Sequence, residues 1–359
     1  MTMLGKKILL LGGTGAMGVH LSKLLFDSGA EVYVTTRLER HKEPIHFIRG
    51  NARDASFLKE ILNKEHYDVI VDFMIYSTRD FSERCDFILS QTDHYIFLSS
   101  SRVYADAQPC IKESSPRLLD VCNDDVYLST DEYALCKARE ENILRNNKNQ
   151  NWTIIRPYIT YSEIRLQLGV LEKEYWLYQA LHDRTIVFSK DIASKTTTLT
   201  YGYDVARGIA ALIGNPRAMG RSFHITCGES HTWQEVLDLY IRVLTEQLGH
   251  SPKVKMIDEN PRVHIPTSKW QVVYDRWFDR RFDNSAINEF IDTTTFVPMM
   301  EGLEKCLREF LKSPSYRILG WGDHAMYDRM TGEWTSLAEI PTWNKRIKYI
   351  LRRTFLPKK

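Results

Sequence analysis

The chain has 359 residues, 43% hydrophobic and 26% charged, with a formal net charge of +2. That length and balance belong to a globular protein with a large core, in one domain or two closely joined ones, and give no electrostatic case for a nucleic-acid partner. Six scattered cysteines without a C-x-x-C pair argue against a zinc centre or a disulfide framework and fit a reducing, cytoplasmic compartment.

The first element starts almost at the N-terminus, which leaves no room for a signal peptide. Ile8, Leu9, Leu10 and Leu11 form a short continuous apolar run, the pattern of a strand covered on both faces. Gly12, Gly15 and Gly18 follow at a spacing of three, and Gly13, Gly15 and Gly18 also satisfy G-x-G-x-x-G. Met17, Leu21, Leu24 and Leu25 then recur at helical spacing up to Ser28 and Gly29. Strand, glycine turn and helix in this order make a dinucleotide site: the glycines permit a tight turn and close approach of backbone to pyrophosphate, and the helix N-terminus offers N–H groups to the phosphates.

Strands are predicted over 31–35, 47–50, 68–74, 94–98 and 152–155, the last running into Arg156 and Pro157. Asp54 is the predicted N-cap of a helix carrying Phe57, Leu58, Ile61 and Leu62. Further helices are predicted over 79–90 and 128–144. Strand and helix alternate, so the fold class is α/β: a Rossmann-type, doubly wound parallel sheet with a smaller C-terminal substrate-binding lobe.

Regularity weakens after about residue 160. Helices are predicted over 175–181, 203–213, 233–248, 283–290 and 300–311, and a strand over 185–188. The expected organisation is a dinucleotide-binding domain over 1–160, rejoined by about 185–215, a substrate-binding lobe mainly over 161–320, and a C-terminal extension over 321–359. No apolar run approaches the roughly 20 residues of a membrane-spanning helix. Within the extension, residues 345–353 form a basic amphipathic helix, to be read either as a membrane-surface anchor or as a terminal helix docked on its own domain or a partner subunit; the docked reading is preferred. The 11 histidines show no ligand spacing, so no metal is expected.

Two further stretches carry chemistry. Tyr133 and Lys137 are four apart on a predicted helix and share a face. An ammonium near a phenol favours its ionised form, which equips a tyrosine as a general acid or base. Ser99, Ser100 and Ser101 end a predicted strand at the sheet edge where open α/β folds bind their ligands. Met74, after its strand, either lines a nicotinamide or packs in the core.

With these residues in place, the chain resembles the extended short-chain dehydrogenase/reductases of the nucleotide-sugar epimerase/dehydratase/reductase kind, over about residues 5–312. The glycine motif, the serines before Val103 and Tyr104, the Tyr133/Lys137 pair, the run from Arg156 through Pro157, Tyr158, Ile159 and Thr160 to Tyr161, and the later Tyr203-Asp204-Val205-Ala206 and Asp283-Asn284-Ser285 stretches carry it. The resemblance implies Ser100, Tyr133 and Lys137 as catalytic residues, with Ser99 and Ser101 as alternatives for the serine. It implies cofactor contacts from Gly12, Thr14, Gly15, Ala16, Met17, Gly18, Arg37, Asn51, Ala52, Met74, Lys137, Pro157 and Tyr158. It implies substrate contacts from Ser101 and Thr160, and a diphosphate contact from Arg280 or Arg281. A homodimer is the expected assembly.

Two departures discriminate. Members that catalyse 4,6-dehydration follow the catalytic hydroxyl with an Asp-Glu pair, where this chain has Ser101 and Arg102. At the end of the second strand no acid precedes Glu39, whereas Arg37 and Arg40 are present; a guanidinium suits a 2′-phosphate, so NADP(H) is favoured over NAD(H). The expected function is an NADPH-dependent reductase of a nucleotide-linked 4-keto-6-deoxy sugar in surface-polysaccharide biosynthesis. The alternatives are a nucleotide-sugar C4 epimerase with tightly bound NAD(P) and a non-catalytic dinucleotide sensor.

Overall fold

Seven short segments build the main sheet: six follow the runs predicted as strands, and the seventh, Arg221–Ile225, was not predicted. In this computed structural model, which describes residues 3–40, 44–107 and 109–354, they form β1 (Lys7–Leu11), β2 (Glu31–Thr36), β3 (His46–Arg49), β4 (Tyr67–Asp72), β5 (Thr92–Leu98), β6 (Trp152–Pro157) and the Arg221–Ile225 strand. All pair in parallel, in the order Arg221–Ile225, β6, β5, β4, β1, β2, β3. The order reverses between β1 and β4, so the carboxyl ends of those two strands open the crevice in which such sheets bind ligands.

Strand side chains alternate between faces, and the core follows that period. Ile8 and Leu10 join Val32, Val34, Val69 and Val71 in one layer, covered by Leu21 and Leu25 of α1 (Gly18–Asp27) and by Val205, Ile209 and Leu212 of the Gly202–Leu212 helix. Leu9 and Leu11 join Ile70, Phe97 and Ile154 in the other, covered by Leu58, Ile61 and Leu62 of α2 (Ala55–Lys64) and by Phe81, Cys85 and Ile88 of α3 (Thr78–Ser90). Each fully buried leucine or isoleucine in such a layer contributes about 1.5–3 kcal/mol. Asp54 caps α2, its carboxylate accepting from the Ser56 and Phe57 N–H groups.

The helix predicted over 128–144 is broken. After α4 (Leu118–Val121) come α5 (Asp125–Leu128) and then α6 (Tyr133–Arg145). Between α5 and α6, Asp131 accepts from the Thr78 N–H and hydroxyl, and Arg139 donates to the Thr130 and Leu128 carbonyls. These contacts hold the chain off the helical path, and Glu132 restarts it as the N-cap of α6, accepting from Ala134 N. The helix predicted over 283–290 shrinks to one 3₁₀ turn, Ile287–Glu289. There Asp283 folds onto the Ser285 N–H and hydroxyl, and the Asn284 amide pairs with Thr226.

The chain divides into two compact units: Met1–Ser162, Thr198–Ser230 and Arg280–Met299 in the first, Glu163–Thr197, His231–Asp279 and Met300–Lys359 in the second. The second is built around the Trp233–Leu248 helix, opened by a Thr232/Glu235 capping box and closed by Gly249 in the left-handed region (φ +78°). Tyr240 of that helix stacks on Trp176 of the Trp176–Leu181 helix, with ring centroids 4.4 Å apart. The C-terminal extension holds two helices, Trp321–Thr331 and Trp343–Thr354. They pack on the second unit through Tyr178, Trp321, Ala325, Ile340 and Tyr349.

Candidate active site

Gly12 leaves β1 with φ +72°, and a Cβ there would lie 2.6 Å from the Met74 sulfur. Its N–H donates to Thr35 Oγ1 at 2.9 Å, which ties the turn to β2, and Thr14 N donates back to the Gly12 carbonyl at 2.8 Å. A Cβ on Gly18 would meet the Gly13 carbonyl oxygen at 2.5 Å, so α1 can start this close to the turn only from glycine. Above Gly15 nothing lies within 4 Å of an added Cβ. Met17 is the N-cap of α1 and provides no capping side chain, and the first turn holds no acid. Unspent N–H groups at Gly15, Ala16 and Met17 and a positive helix end therefore face an open cradle, which fits the pyrophosphate of a dinucleotide; Thr14, its N–H already spent, has only its hydroxyl to offer.

Around this cradle, Arg37 follows β2, exposed and without an ion-pair partner among the described residues. Asn51, after β3, is exposed and accepts from Arg53 N through Oδ1. Ala52 is packed in the core layer beside Leu9 and Leu11. Met74 follows β4, partly buried, and its N–H donates to Asp72 Oδ1 at 2.8 Å. Pro157 closes β6, and Tyr158 is buried with its ring 5.4 Å from that of Phe282.

The three serines at the end of β5 have different partners. Ser99 donates to Glu141 Oε1 at 2.7 Å, and Ser101 donates to the Arg156 carbonyl at 2.7 Å. Ser100 caps the 3₁₀ turn Ser101–Val103 by accepting from Arg102 N at 3.2 Å, and it donates to no described residue. Of the run, Ser100 alone keeps its hydroxyl proton uncommitted.

Tyr133 is the first residue of α6 and is partly buried. Arg102 pairs with Glu132 at 2.6 Å and holds its guanidinium 5.3 Å from the centre of the Tyr133 ring. Lys137, one turn on, is buried: Nζ lies 2.9 Å from Glu140 Oε2, 3.4 Å from the Met74 carbonyl and 4.4 Å from the centre of the Phe97 ring. Asp72, at the end of β4, is fully buried and accepts from Met74 N, Tyr76 OH and Tyr95 OH. Burial pushes the Glu140 carboxyl up to about 7 against the opposing pull of Lys137, and burial raises the Asp72 carboxyl as well.

Beneath the serines, Glu141 takes two guanidinium hydrogen bonds from Arg156, at 2.7 and 2.6 Å, and a third from Arg117. Burial acts to raise the Glu141 carboxyl, but Arg156 prevails and holds it below the ordinary range. Arg156 also donates to the Tyr104 hydroxyl at 2.9 Å, which stands 3.3 Å from His224 Nδ1. His224 Nε2 lies 2.7 Å from the Asp283 carbonyl, which requires the proton on Nε2. The network joins β5, β6, α6 and the Arg221–Ile225 strand into a rigid floor.

The remaining predicted substrate residues divide. Thr160 is buried and its hydroxyl has no hydrogen-bond partner among the described residues. Arg280 is fully buried and donates to the Tyr104 and Ala105 carbonyls, which braces that loop. Arg281 is exposed. Sequence reasoning missed the buried acids around Lys137, Asp72 and Glu140; the i,i+3 spacing of Glu140 from Lys137 was the available signal.

A parallel sheet that reverses its order beside an uncapped helix N-terminus defines a Rossmann-type dinucleotide-binding protein. Residues 8–228 match the NAD dependent epimerase/dehydratase family, and the chain belongs to that family. Solved relatives share the fold. The epimerase Mth375 of Methanothermobacter thermautotrophicus has a TM-score of 0.66 at 18% identity, covering 86% of this chain and 93% of that one. The dTDP-glucose 4,6-dehydratase of Bacillus anthracis, in complex with NAD, has 0.65 at 14%, covering 86% and 97%. The UDP-glucuronic acid 4-epimerase of Bacillus cereus, in complex with UDP-glucuronic acid and NAD, has 0.63 at 19%, covering 85% and 99%. A curated relative, the chloroplast stem-loop binding protein of 41 kDa b from Arabidopsis thaliana, is 24% identical over 274 residues, 72% of this chain and 67% of the relative.

Proposed function

We propose that the protein is an NADPH-dependent reductase of a nucleotide-linked 4-keto-6-deoxy sugar. The choice of reductase rests on the end of β2, where exposed Arg37 follows Thr36 and no carboxylate precedes Glu39. A guanidinium there suits a 2′-phosphate, the mark of the dinucleotide used for net reduction. The bound dihydronicotinamide supplies the hydride. Tyr133 donates the proton to the keto oxygen, Ser100 hydrogen-bonds the developing alkoxide through its uncommitted hydroxyl, and Lys137, whose ammonium rests on Glu140 in the folded chain, is assigned to holding the ribose and tuning Tyr133. Thr160, with an orphaned hydroxyl, is a substrate contact. Of the two arginines, Arg280 is fully buried and donates to the Tyr104 and Ala105 carbonyls, so exposed Arg281 is preferred for the diphosphate. Dehydration is disfavoured because Ser101 and Arg102 stand where an acid pair is needed.

The second reading is a nucleotide-sugar C4 epimerase, favoured by the solved relatives carrying NAD. In that case Tyr133 removes the 4-hydroxyl proton first. Incubation with NADPH and a panel of nucleotide 4-keto-6-deoxy sugars separates the two. Net loss of the nicotinamide absorbance supports the reductase, and sugar interconversion without it supports the epimerase.

A further inference from the structure

The Trp343–Thr354 helix has two apolar faces and spends only one on its own unit. Inward, Tyr349 is fully buried; its hydroxyl donates to Asp328 at 2.6 Å and accepts from Thr335 N at 2.7 Å. Outward, Trp343, Ile347 and Leu351 recur every four residues and are 73%, 52% and 50% exposed. A helix that only needed docking has no use for this outer stripe, because exposed tryptophan and β-branched side chains cost solubility and gain nothing.

Charge surrounds the stripe. The helix carries Lys345, Arg346, Lys348, Arg352 and Arg353 and no acid, in a chain whose net charge is only +2, so the rest of the chain is net negative. Arg346 donates to the Ile340 carbonyl and covers Trp343, and Arg353 donates to the Glu333 carbonyl and covers Trp334. Arg352 lies 3.8 Å from Asp323. Lys345 and Lys348 are exposed and have no ion-pair partner among the described residues; Lys348 and Arg352 adjoin Ile347 and Leu351, whereas Lys345, four residues before Tyr349, lies on the opposite side of the helix from the stripe.

We propose that this face docks on an anionic lipid bilayer, with Trp343, Ile347 and Leu351 entering the boundary between headgroups and acyl chains and the flanking Lys348 and Arg352 meeting lipid phosphates. Charge selects the occupant: a second copy of the same face would set cations against cations, whereas an anionic surface complements them. Length selects the geometry. Twelve residues rise about 18 Å, too short to span a bilayer but sufficient to lie along it. Three apolar side chains or a few cations alone bind weakly, and the two together give reversible, salt-sensitive attachment.

The test is sedimentation of the full-length protein with phosphatidylcholine vesicles with and without phosphatidylglycerol. Binding is expected only with phosphatidylglycerol, weakening about tenfold or more at high salt. Trp343→Ser/Ile347→Ser/Leu351→Ser should abolish it and Lys348→Gln/Arg352→Gln should weaken it about tenfold or more, each with the chain still folded by circular dichroism, while Lys345→Gln, on the opposite side, should leave it within about twofold. No binding to phosphatidylglycerol vesicles at low salt would overturn the proposal. So would binding that survives both the apolar and the Lys348/Arg352 variants, capture of an acidic peptide or of poly(U) RNA without vesicle binding, or a dimer that the apolar variant dissociates.

Discussion

Lys137 Nζ lies 2.9 Å from Glu140 Oε2, and both side chains are buried within one turn of α6. Asp72, buried at the end of β4, adds a second carboxyl to the field of this lysine. The pair is costly to desolvate, and burial leaves Glu140 with an affinity for protons raised to about 7. An acid held above its ordinary value in the folded chain favours folding while it is protonated and loses that advantage as pH rises through the raised value. Glu140→Gln fixes the neutral form. Thermal melting of this variant should therefore improve relative to the wild type between about pH 4.5 and 7 and run parallel above that. A melting difference that is flat across the range, or that declines, would show that the charged pair is the stabilising form.

The serines make separable predictions. Ser99→Ala removes a donor to buried Glu141 and should lower stability by about 1–3 kcal/mol, read as a drop in melting temperature. Ser100→Ala removes a hydroxyl that donates to no described residue but caps a 3₁₀ turn, so stability should fall by about 0.5–1 kcal/mol, while kcat falls about 100-fold or more. If the two variants exchange these effects, the catalytic assignment belongs to Ser99.

Arg37→Ala should weaken NADPH binding by about 10- to 100-fold, the loss of one or two hydrogen bonds to a charged group. NADH binding should remain within about twofold of the wild type. Titration of nicotinamide fluorescence against both dinucleotides measures the ratio. Equal losses would place Arg37 at the adenine or in solvent rather than at a 2′-phosphate.

What the sequence revealed depended on how local the cause was. β1, the glycine turn and the Asp54 cap depend on neighbouring residues and were readable from them, as was the alternation that builds the sheet. The break before Tyr133 was hidden, because it depends on Asp131 meeting Thr78, 53 positions away. Asn284 escaped for the same reason, held by Thr226, 58 positions away, whereas the Asp283–Ser285 turn beside it is local. Glu140 and Glu141 look like a solvated helix face in the sequence, yet both are buried, one against Lys137 and one against Arg156. Ser99, Ser100 and Ser101 are indistinguishable as letters, and only their hydrogen-bond partners separate them.

The proposed reaction stands or falls on net hydride delivery to the sugar with Tyr133 as the proton donor. Mass spectrometry of the sugar after incubation with NADPH deuterated at the transferred position reads that delivery without intermediary. One deuterium should be gained per sugar reduced, with an equal amount of cofactor consumed, and Tyr133→Phe should slow both by about 100- to 10,000-fold while still binding NADPH. Interconverted sugar that carries no deuterium, or full activity in Tyr133→Phe, would contradict the reductase mechanism.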